Sequence, residues 1–255
     1  MDTGRLKTIV ILILLCVNLA FGGILLAERL GTAEGQAHTR SDLTRVMAQL
    51  GISLSEDKIP AGSTCRRWSV SRSIEAEAGL VRALLGEAEG RDQGGNIWYY
   101  ENENGWAWCR GGGSFELMVN TGGSLEEQLA AGGLRIRREG DSYVCLMEDT
   151  EVFNCRFTLS LRGGGVYITG RFLLGEPQEE EEVDCTDVAS LFLRFCDRIR
   201  DAGGVFSRIE EIRSGAVLNV TAAGMELIPV WRMRTDGGTW FMDLQSGRLV
   251  TVAER

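Results

Sequence analysis

The hydrophobic pattern of the chain begins with an apolar run over residues 8–27 that contains no charged residue. A helix rises about 1.5 Å per residue, so this run spans roughly 30 Å, the thickness of a bilayer's hydrocarbon core. Ala20–Gly22 can serve as a cleavage site, but Ile24–Leu26 continue the run past it, which favours an uncleaved anchor over a removed signal. Arg5 and Lys7 precede the run, so we predict a single-pass membrane protein with a cytoplasmic N-terminus and an extracytoplasmic remainder.

Beyond the apolar run, apolar residues at helical spacing predict four helices. They are one capped by Ser41 and ended by Gly51, one over 74–85, one over 125–131, and one with an apolar stripe over 188–199. Runs of aromatic and β-branched residues between Gly-rich or polar turns predict strands. These lie around 68–70, within 96–120 as three strands, and around 134–138, 143–148, 153–162, 166–174, 206–213, 226–234, 239–244 and 249–252.

The order of these elements predicts the fold class and the domains. Runs of strands with segregated helices are typical of α+β proteins. We therefore predict an α+β fold in which a single N-terminal transmembrane helix precedes two units, each a helix beside an antiparallel meander. The predicted boundaries are 1–29 for the tail and anchor, 30–122 for the first unit and 123–255 for the second.

The charge of the chain narrows its partners. The formal net charge is −9, which argues against nucleic acid and against an anionic membrane surface as partners. Part of this charge is the acidic run Glu179–Glu182, which we predict to be a solvated loop.

Cysteine spacing leaves two states open for one pair. Cys145 and Cys155 flank a predicted three-residue hairpin loop, so they can form a disulfide across two strands or remain buried free thiols. Cys185 and Cys196 are placed on one predicted helix about 16 Å apart, too far to pair. The chain contains one histidine, so we predict neither a metal site nor a cofactor.

Signals for catalysis are few, and we predict that the chain is not an enzyme. It contains no GxSxG, HExxH, SxxK or phosphate-loop motif. Cys65 lies beside two arginines but has no neighbouring base in the sequence. Trp98, Trp106 and Trp108 lie on adjacent predicted strands and can form an aromatic face that binds sugar, or pack into the core.

Both ends of the chain resemble the YycI-type membrane regulators of Gram-positive bacteria. The N-terminal similarity is a Met-Asp start, a basic stretch and an apolar helix containing asparagine, carried by Asp2, Lys7, Thr8 and Asn18. The tail is similar in a Pro-x-Trp-Arg strand, a polar turn, an aromatic strand and a Gly turn, carried by Pro229, Trp231, Arg232, Asp243 and Gly247.

The resemblance implies a role in signalling. YycI-type proteins and their YycH relatives bind the membrane sensor histidine kinase that controls cell-wall metabolism, largely through transmembrane helices, and tune its activity. It therefore implies a regulatory protein of a two-component system. Its expected partners are a membrane sensor histidine kinase and a sister YycH-like protein.

The apolar run also offers a contact face for a partner helix. Asn18 is costly in a membrane unless its amide finds a partner, and a neighbouring helix can supply one. The residues that share its face, and that we predict to contact the partner, are Ile11, Leu14, Leu15, Phe21 and Gly22. The alternative function is a tethered or secreted envelope- or carbohydrate-binding module that uses the Trp-rich strands; a third is an inhibitor or propeptide-like chaperone.

Overall fold

The computed structural model describes residues 40–60, 65–120, 124–173, 175–183, 185–222 and 224–252. The chain divides between residues 61 and 62 into two compact units. The first unit contains helix α1, described over residues 40–49, and a 3₁₀ turn over Glu56–Lys58. The predicted cap Ser41 lies inside α1, because the helix already includes residue 40.

The helices of the second unit confirm the predictions made from apolar spacing. They are α2 over Ile74–Leu85, α3 over Leu125–Ala131 and α4 over Val188–Asp201. The Ser73 side chain accepts a hydrogen bond from the Ala76 N–H at the start of α2, and Gly86 ends that helix with φ 79°. The Asp187 side chain caps α4 in the same way, accepting from the Ser190 N–H at 2.9 Å.

The strands of the second unit form a single connected sheet. Their bounds are β1 Cys65–Arg72, β2 Glu89–Asp92, β3 Ile97–Asn102, β4 Gly105–Arg110, β5 Ser114–Val119, β6 Ile136–Glu139, β7 Ser142–Met147, β8 Thr150–Arg162, β9 Gly165–Arg171, β10 Gly175–Val183, β11 Ile209–Thr221, β12 Gly224–Thr235, β13 Gly238–Asp243 and β14 Leu249–Val250. The main strand order is β10-β1-β12-β11-β8-β9-β5-β4-β3-β2. Strands β13 and β14 extend from β12, and β7 and β6 extend from β8.

The predicted α+β class with two helix-plus-meander units is therefore wrong. Strands make up 50% of the described residues, and the fourteen described strands belong to one sheet. The strands themselves were mostly predicted, but their pairing joins segments that are far apart in sequence. For example, β5 pairs with β9, so hydrogen bonds link strands from both sides of the predicted 122/123 boundary. The boundary itself stays a prediction.

The acidic run Glu179–Glu182 is part of a strand, so its prediction as a solvated loop is wrong. It lies in β10, whose backbone pairs antiparallel with β1, with Glu179 opposite Trp68 and Glu182 opposite Arg66. Within the described part of the sheet β10 is an edge strand. Charged residues on an edge strand oppose pairing with a second chain, which explains how an acidic run is compatible with strand structure.

The predicted anchor over residues 8–27 lies outside the described residues. Of the helices within the described ranges, none has the length and apolar character needed to cross a bilayer.

Apart from a smaller cluster that includes Phe153, Val230 and Phe241, the core lies under one face of the sheet. Helices α2 and α3 cover this inner face, where alternate residues of β5 and β9 are buried, among them Phe115, Leu117 and Ile168. On the other half of the sheet, the Phe192 ring of α4 lies 5.7 Å from the ring of the fully buried Trp231. The opposite, outer face of the β3-β4-β5-β9 region is not covered by α2 or α3.

One disulfide joins β1 to the segment before α4. Cys65 pairs with Cys185, across 120 residues of sequence. The predicted placement of Cys185 on a helix is wrong, because α4 begins at Val188. Cys65 is bonded to Cys185, so it has no free thiol.

Of the two states left open for Cys145 and Cys155, the structure shows the buried free thiols. The hairpin turn has two residues instead of three, so Cys145 lies opposite Val152. The pairing then shifts between Val144 and Cys145, which removes Cys155 from the position across from Cys145. Burial raises the pKa of Cys145 to about 12 and that of Cys155 well above its usual value, so both thiols stay protonated and inert.

Candidate functional site

Four aromatic side chains share the outer face of the sheet. Alternation along β3, β4 and β9 points Tyr99, Trp106, Trp108 and Tyr167 away from the α2 and α3 side, and we call these four residues the aromatic face. All four are half-buried, and none belongs to the core cluster. They therefore present ring surface to solvent instead of filling the core.

The rings of the aromatic face contact each other in two pairs. One pair lies on adjacent strands, and the other lies on strands separated by β5. Tyr99 and Trp108 are directly opposite in register, with ring centroids 4.6 Å apart. Trp106 and Tyr167 lie 6.3 Å apart, on either side of Met118, which pairs with both of them. Aromatic contacts of this kind fix the ring orientations, so the aromatic face is preorganised for binding.

Charged groups flank the rings. The Arg110 guanidinium lies 5.9 Å from the Trp108 ring centre and forms a 3.0 Å ion pair with Glu116. The Arg162 guanidinium lies 3.9 Å from the centre of the Tyr167 ring. These groups supply hydrogen-bond donors and acceptors beside apolar ring surface, the combination that ligand sites use for orientation.

The structure brings together two of the three predicted tryptophans. Trp106 and Trp108 lie on the aromatic face, whereas Trp98 lies on the inner face and packs against the core. The Trp98 ring stacks on the buried Tyr100 at 6.3 Å. The predicted group of three tryptophans is corrected accordingly. Trp106 lies opposite Glu101 in the register of β3 and β4, so it points to the face opposite that of Trp98.

Tyr167 was missed by the sequence prediction. Its strand was predicted, and period-two alternation indicates that it shares a face with Thr169. What the sequence lacks is the pairing of β5 with β9, which places Tyr167 two strands from Trp106.

A cavity of about 860 Å³ adjoins the aromatic face. The strand register connects the two directly, because Trp108 lies opposite Glu116, Glu116 opposite Thr169, and Thr169 opposite Thr158. Glu116, Thr169 and Thr158 line the cavity. A ligand that stacks on Trp108 can therefore extend across the sheet into the cavity, about 14 Å over three strand spacings.

The far wall of the cavity is a network of charged side chains. Glu139 Oε2 lies 2.6 Å from Arg156 Nη2, and Glu139 Oε1 lies 3.4 Å from Arg232 Nη2. Glu211 contacts Arg232 at 3.8 Å and Arg234 at 3.8 Å. Arg232 is largely buried, with its guanidinium over the Phe153 ring, so this wall is held rigidly.

Ion pairs and hydrogen bonds favour the charged forms of two groups in this network, Glu139 and Arg213. Burial raises the pKa of Glu139, but the nearby Arg156 and Arg232 guanidinium groups outweigh it, so the pKa lies below its usual value. The hydrogen bond to Glu211 raises the pKa of Arg213. The Glu139 carboxylate is therefore ionised at neutral pH and paired with Arg156 and Arg232.

No group of three or more His, Cys, Asp or Glu side chains within the described ranges is arranged to hold a metal ion. The residues predicted to contact a partner helix, Ile11, Leu14, Leu15, Asn18, Phe21 and Gly22, lie outside the described residues.

The residues of the tail resemblance lie in and beside β12 and β13. Trp231 is in the core and Arg232 is in the cavity wall. Asp243 accepts hydrogen bonds from the Gln245 N–H at 2.8 Å and the Ser246 hydroxyl at 2.7 Å, which builds the turn containing Gly247, with φ 63°.

Comparison with solved structures shows a remote similarity. No family model matches the chain, and no curated protein matches it. A solved structure of an uncharacterized protein from Eubacterium rectale ATCC 33656 is similar over 74% of this chain and 86% of that chain, with 11% identity and a TM-score of 0.46. A similarity at this level identifies neither a family nor a site.

Proposed function

We propose that the chain is an extracytoplasmic protein that binds carbohydrate of the cell envelope on its aromatic face. The observation that carries this proposal is the grouping of four half-buried rings on one outer sheet face, outside the core. Three of them, Tyr99, Trp108 and Trp106, come from a single β-hairpin.

The chemistry of the face suits a sugar. A pyranose ring has an apolar face of C–H groups, which packs on the electron-rich face of Trp or Tyr. Its hydroxyl groups need hydrogen-bond partners around the edge, and Arg110 and Glu116 lie beside Trp108 to supply them. Aromatic side chains have few rotatable bonds, so they lose little conformational entropy when a ligand binds. This favours a role in binding over one in catalysis.

The proposed location rests on two further features. The Cys65–Cys185 disulfide is of a kind that persists in oxidising compartments. The apolar run over 8–27, preceded by Arg5 and Lys7, fits a membrane anchor with the remainder outside. We accordingly place the binding unit on the outer side of the membrane, tethered by its N-terminal helix.

Substituting the two tryptophans of the face tests the proposal. We expect the full chain, in a detergent without a sugar headgroup, to bind chitohexaose in isothermal titration calorimetry. Trp106→Ala and Trp108→Ala should each weaken Kd by about tenfold, or about 1.4 kcal/mol, because each removes one stacking surface.

The matched control is Trp98→Phe, which changes a tryptophan of the same hairpin on the inner face. It should leave the affinity for chitohexaose unchanged. Equal affinity of folded Trp106→Ala, Trp108→Ala and wild type would contradict binding at the aromatic face, and so would the absence of binding by wild type to any envelope oligosaccharide.

We propose as a second candidate function that the chain regulates a sensor histidine kinase through its N-terminal helix. The supporting observation is Asn18 within the apolar run, with Gly22 and Gly23 nearby to allow close approach of another helix. A sister YycH-like protein would then be a further partner. This function does not conflict with glycan binding, since a ligand on the outer unit can alter a contact made in the membrane.

Crosslinking in native membranes tests the second proposal. We expect a histidine kinase to be recovered with wild type and lost with Asn18→Leu, because interhelical polar contacts contribute about 0.6–2 kcal/mol. Replacement of residues 8–27 by polyleucine should give the same loss. Recovery of the same partners with all three proteins would show that the helix serves only as an anchor.

A further inference from the structure

The cavity beside the aromatic face contains a cationic side chain that forms no ion pair with any carboxylate of the described residues. Arg171 lines the cavity and is half-buried on β9, opposite Ser114 of β5. Across the described part of the chain, its guanidinium forms neither a hydrogen bond nor an ion pair. Arg156, on the next strand, lines the same cavity.

The carboxylates that line the cavity are, by contrast, all engaged. Glu116 pairs with Arg110, Glu139 with Arg156, and Glu211 with Arg213 at 2.6 Å. The cavity therefore has no carboxylate available for a cation, but it has a guanidinium available for an anion. This is a local reversal in a chain whose net charge is −9.

The backbone of a neighbouring turn passes close to Arg171. Gly113 has φ +77°, and a Cβ atom there would lie 2.2 Å from the Phe172 carbonyl oxygen and 3.4 Å from Arg171 Cγ. The glycine thus lets the turn between β4 and β5 pass close to the stem of Arg171. A half-buried arginine loses less conformational entropy than a fully exposed one when it binds an anionic group.

We propose that the carbohydrate bound by this protein is an anionic glycan. Its sugar rings stack on the aromatic face, and its carboxylate or phosphate group enters the cavity to pair with Arg171. This inference rests on the proposed function and specifies the ligand class of that same site. Guanidinium groups bind carboxylates and phosphates through the same pair of parallel hydrogen bonds, so both kinds of acidic glycan share the required chemistry.

The polar residues between the two parts of the site fit such a ligand. Glu116, Thr169 and Thr158 follow one another across the strands from Trp108 into the cavity. Their side chains offer hydrogen-bond groups along the path that links the stacked ring to Arg171. A single short oligosaccharide can therefore occupy both parts at once.

A pair of ligands that differ only in charge tests the inference. We expect the full chain to bind hexagalacturonate at least tenfold more tightly than its methyl ester, in which the carboxylates are neutralised. Arg171→Gln should remove this preference, so that the acid and the ester bind with equal affinity. Raising the ionic strength from about 0.1 M to about 1 M should weaken binding of the acid and not of the ester.

The matched control is Arg82→Gln, which removes the same charge from an exposed position on α2, the helix that packs on the inner face. It should keep the full preference for the acid. Phosphomannan and neutral mannan form a second ligand pair. Preference for phosphomannan alone would identify the anion as phosphate and preference for hexagalacturonate alone as carboxylate, and both support the inference.

Two outcomes separate the failure of this inference from that of the proposed function. Equal binding of charged and neutral ligands, with both weakened by Trp106→Ala, would overturn the anionic ligand and keep glycan binding. An absence of binding to chitohexaose, hexagalacturonate, phosphomannan and their neutral partners alike would overturn both.

Discussion

Loss of the Cys65–Cys185 disulfide is expected to lower the free energy of unfolding by about 4–5 kcal/mol. The bond closes a loop with a sequence separation of 120, so its removal restores a large conformational freedom to the unfolded chain. It also frees β1, which lies between β10 and β12 in the sheet. Equilibrium urea unfolding of the full chain, with and without reductant, measures this difference.

The double variant Cys65→Ala/Cys185→Ala should reproduce the stability of the reduced wild type and should not respond to reductant. Cys109→Ala is the control, because Cys109 is a buried free thiol. It should retain the full response to reductant. An equal free energy of unfolding for oxidised and reduced wild type would contradict a disulfide at this position.

Replacing Trp231 with alanine is expected to cost about 3–5 kcal/mol of folding stability. Trp231 is fully buried on β12 and packs against Phe192, so its removal leaves a large cavity between the sheet and α4. Chemical unfolding monitored by circular dichroism measures the loss. Leu161→Ala, at a side chain that is 86% exposed, should change stability by less than about 0.5 kcal/mol.

Trp231→Phe separates packing from hydrogen bonding at the same position. The Trp231 indole N–H has no hydrogen-bond partner within the described residues, and an unpaired buried donor is itself unfavourable. Phenylalanine keeps an aromatic ring and removes the donor, so we expect a cost of only about 1–2 kcal/mol. A cost equal to that of Trp231→Ala would contradict this expectation, because it would show that a phenyl ring recovers none of the packing of the indole.

Local signals in the sequence were sufficient for the helices of the second unit and for most turns. The bounds of α2 follow from the Ser73 cap, the apolar positions on one face and Gly86 at the end. The turn between β3 and β4 follows from Asn102 to Gly105 in the same way. These features depend on residues within a few positions of each other, so a single sequence contains them.

Strand partners were not predictable, and this is why the fold class was wrong. β1 pairs with β10 and β12, which begin at Gly175 and Gly224, more than a hundred residues downstream. A period-two pattern shows which face of a strand is apolar and contains no information on its neighbour. The acidic residues of β10 were also read as a loop, because charge obscures the pattern of an edge strand.

The same limit applies to the candidate site. Trp106 and Trp108 alternate within β4, so their common face was predictable from the sequence. Tyr167 and Arg171 join the site only through the pairing of β9 with β5. The cysteines show the limit again, because Cys65 and Cys185 are brought together by the pairing of β1 with β10.

The most direct test of glycan binding on the aromatic face is to locate a bound sugar on the protein. We would photolabel the full chain with a diazirine derivative of chitohexaose and map the labelled peptides by mass spectrometry. We expect labels on peptides from β3 to β5 and from β9, and we expect an excess of unmodified chitohexaose to prevent this labelling. Labels confined to other strands or helices, or labels that unmodified chitohexaose does not prevent, would contradict it.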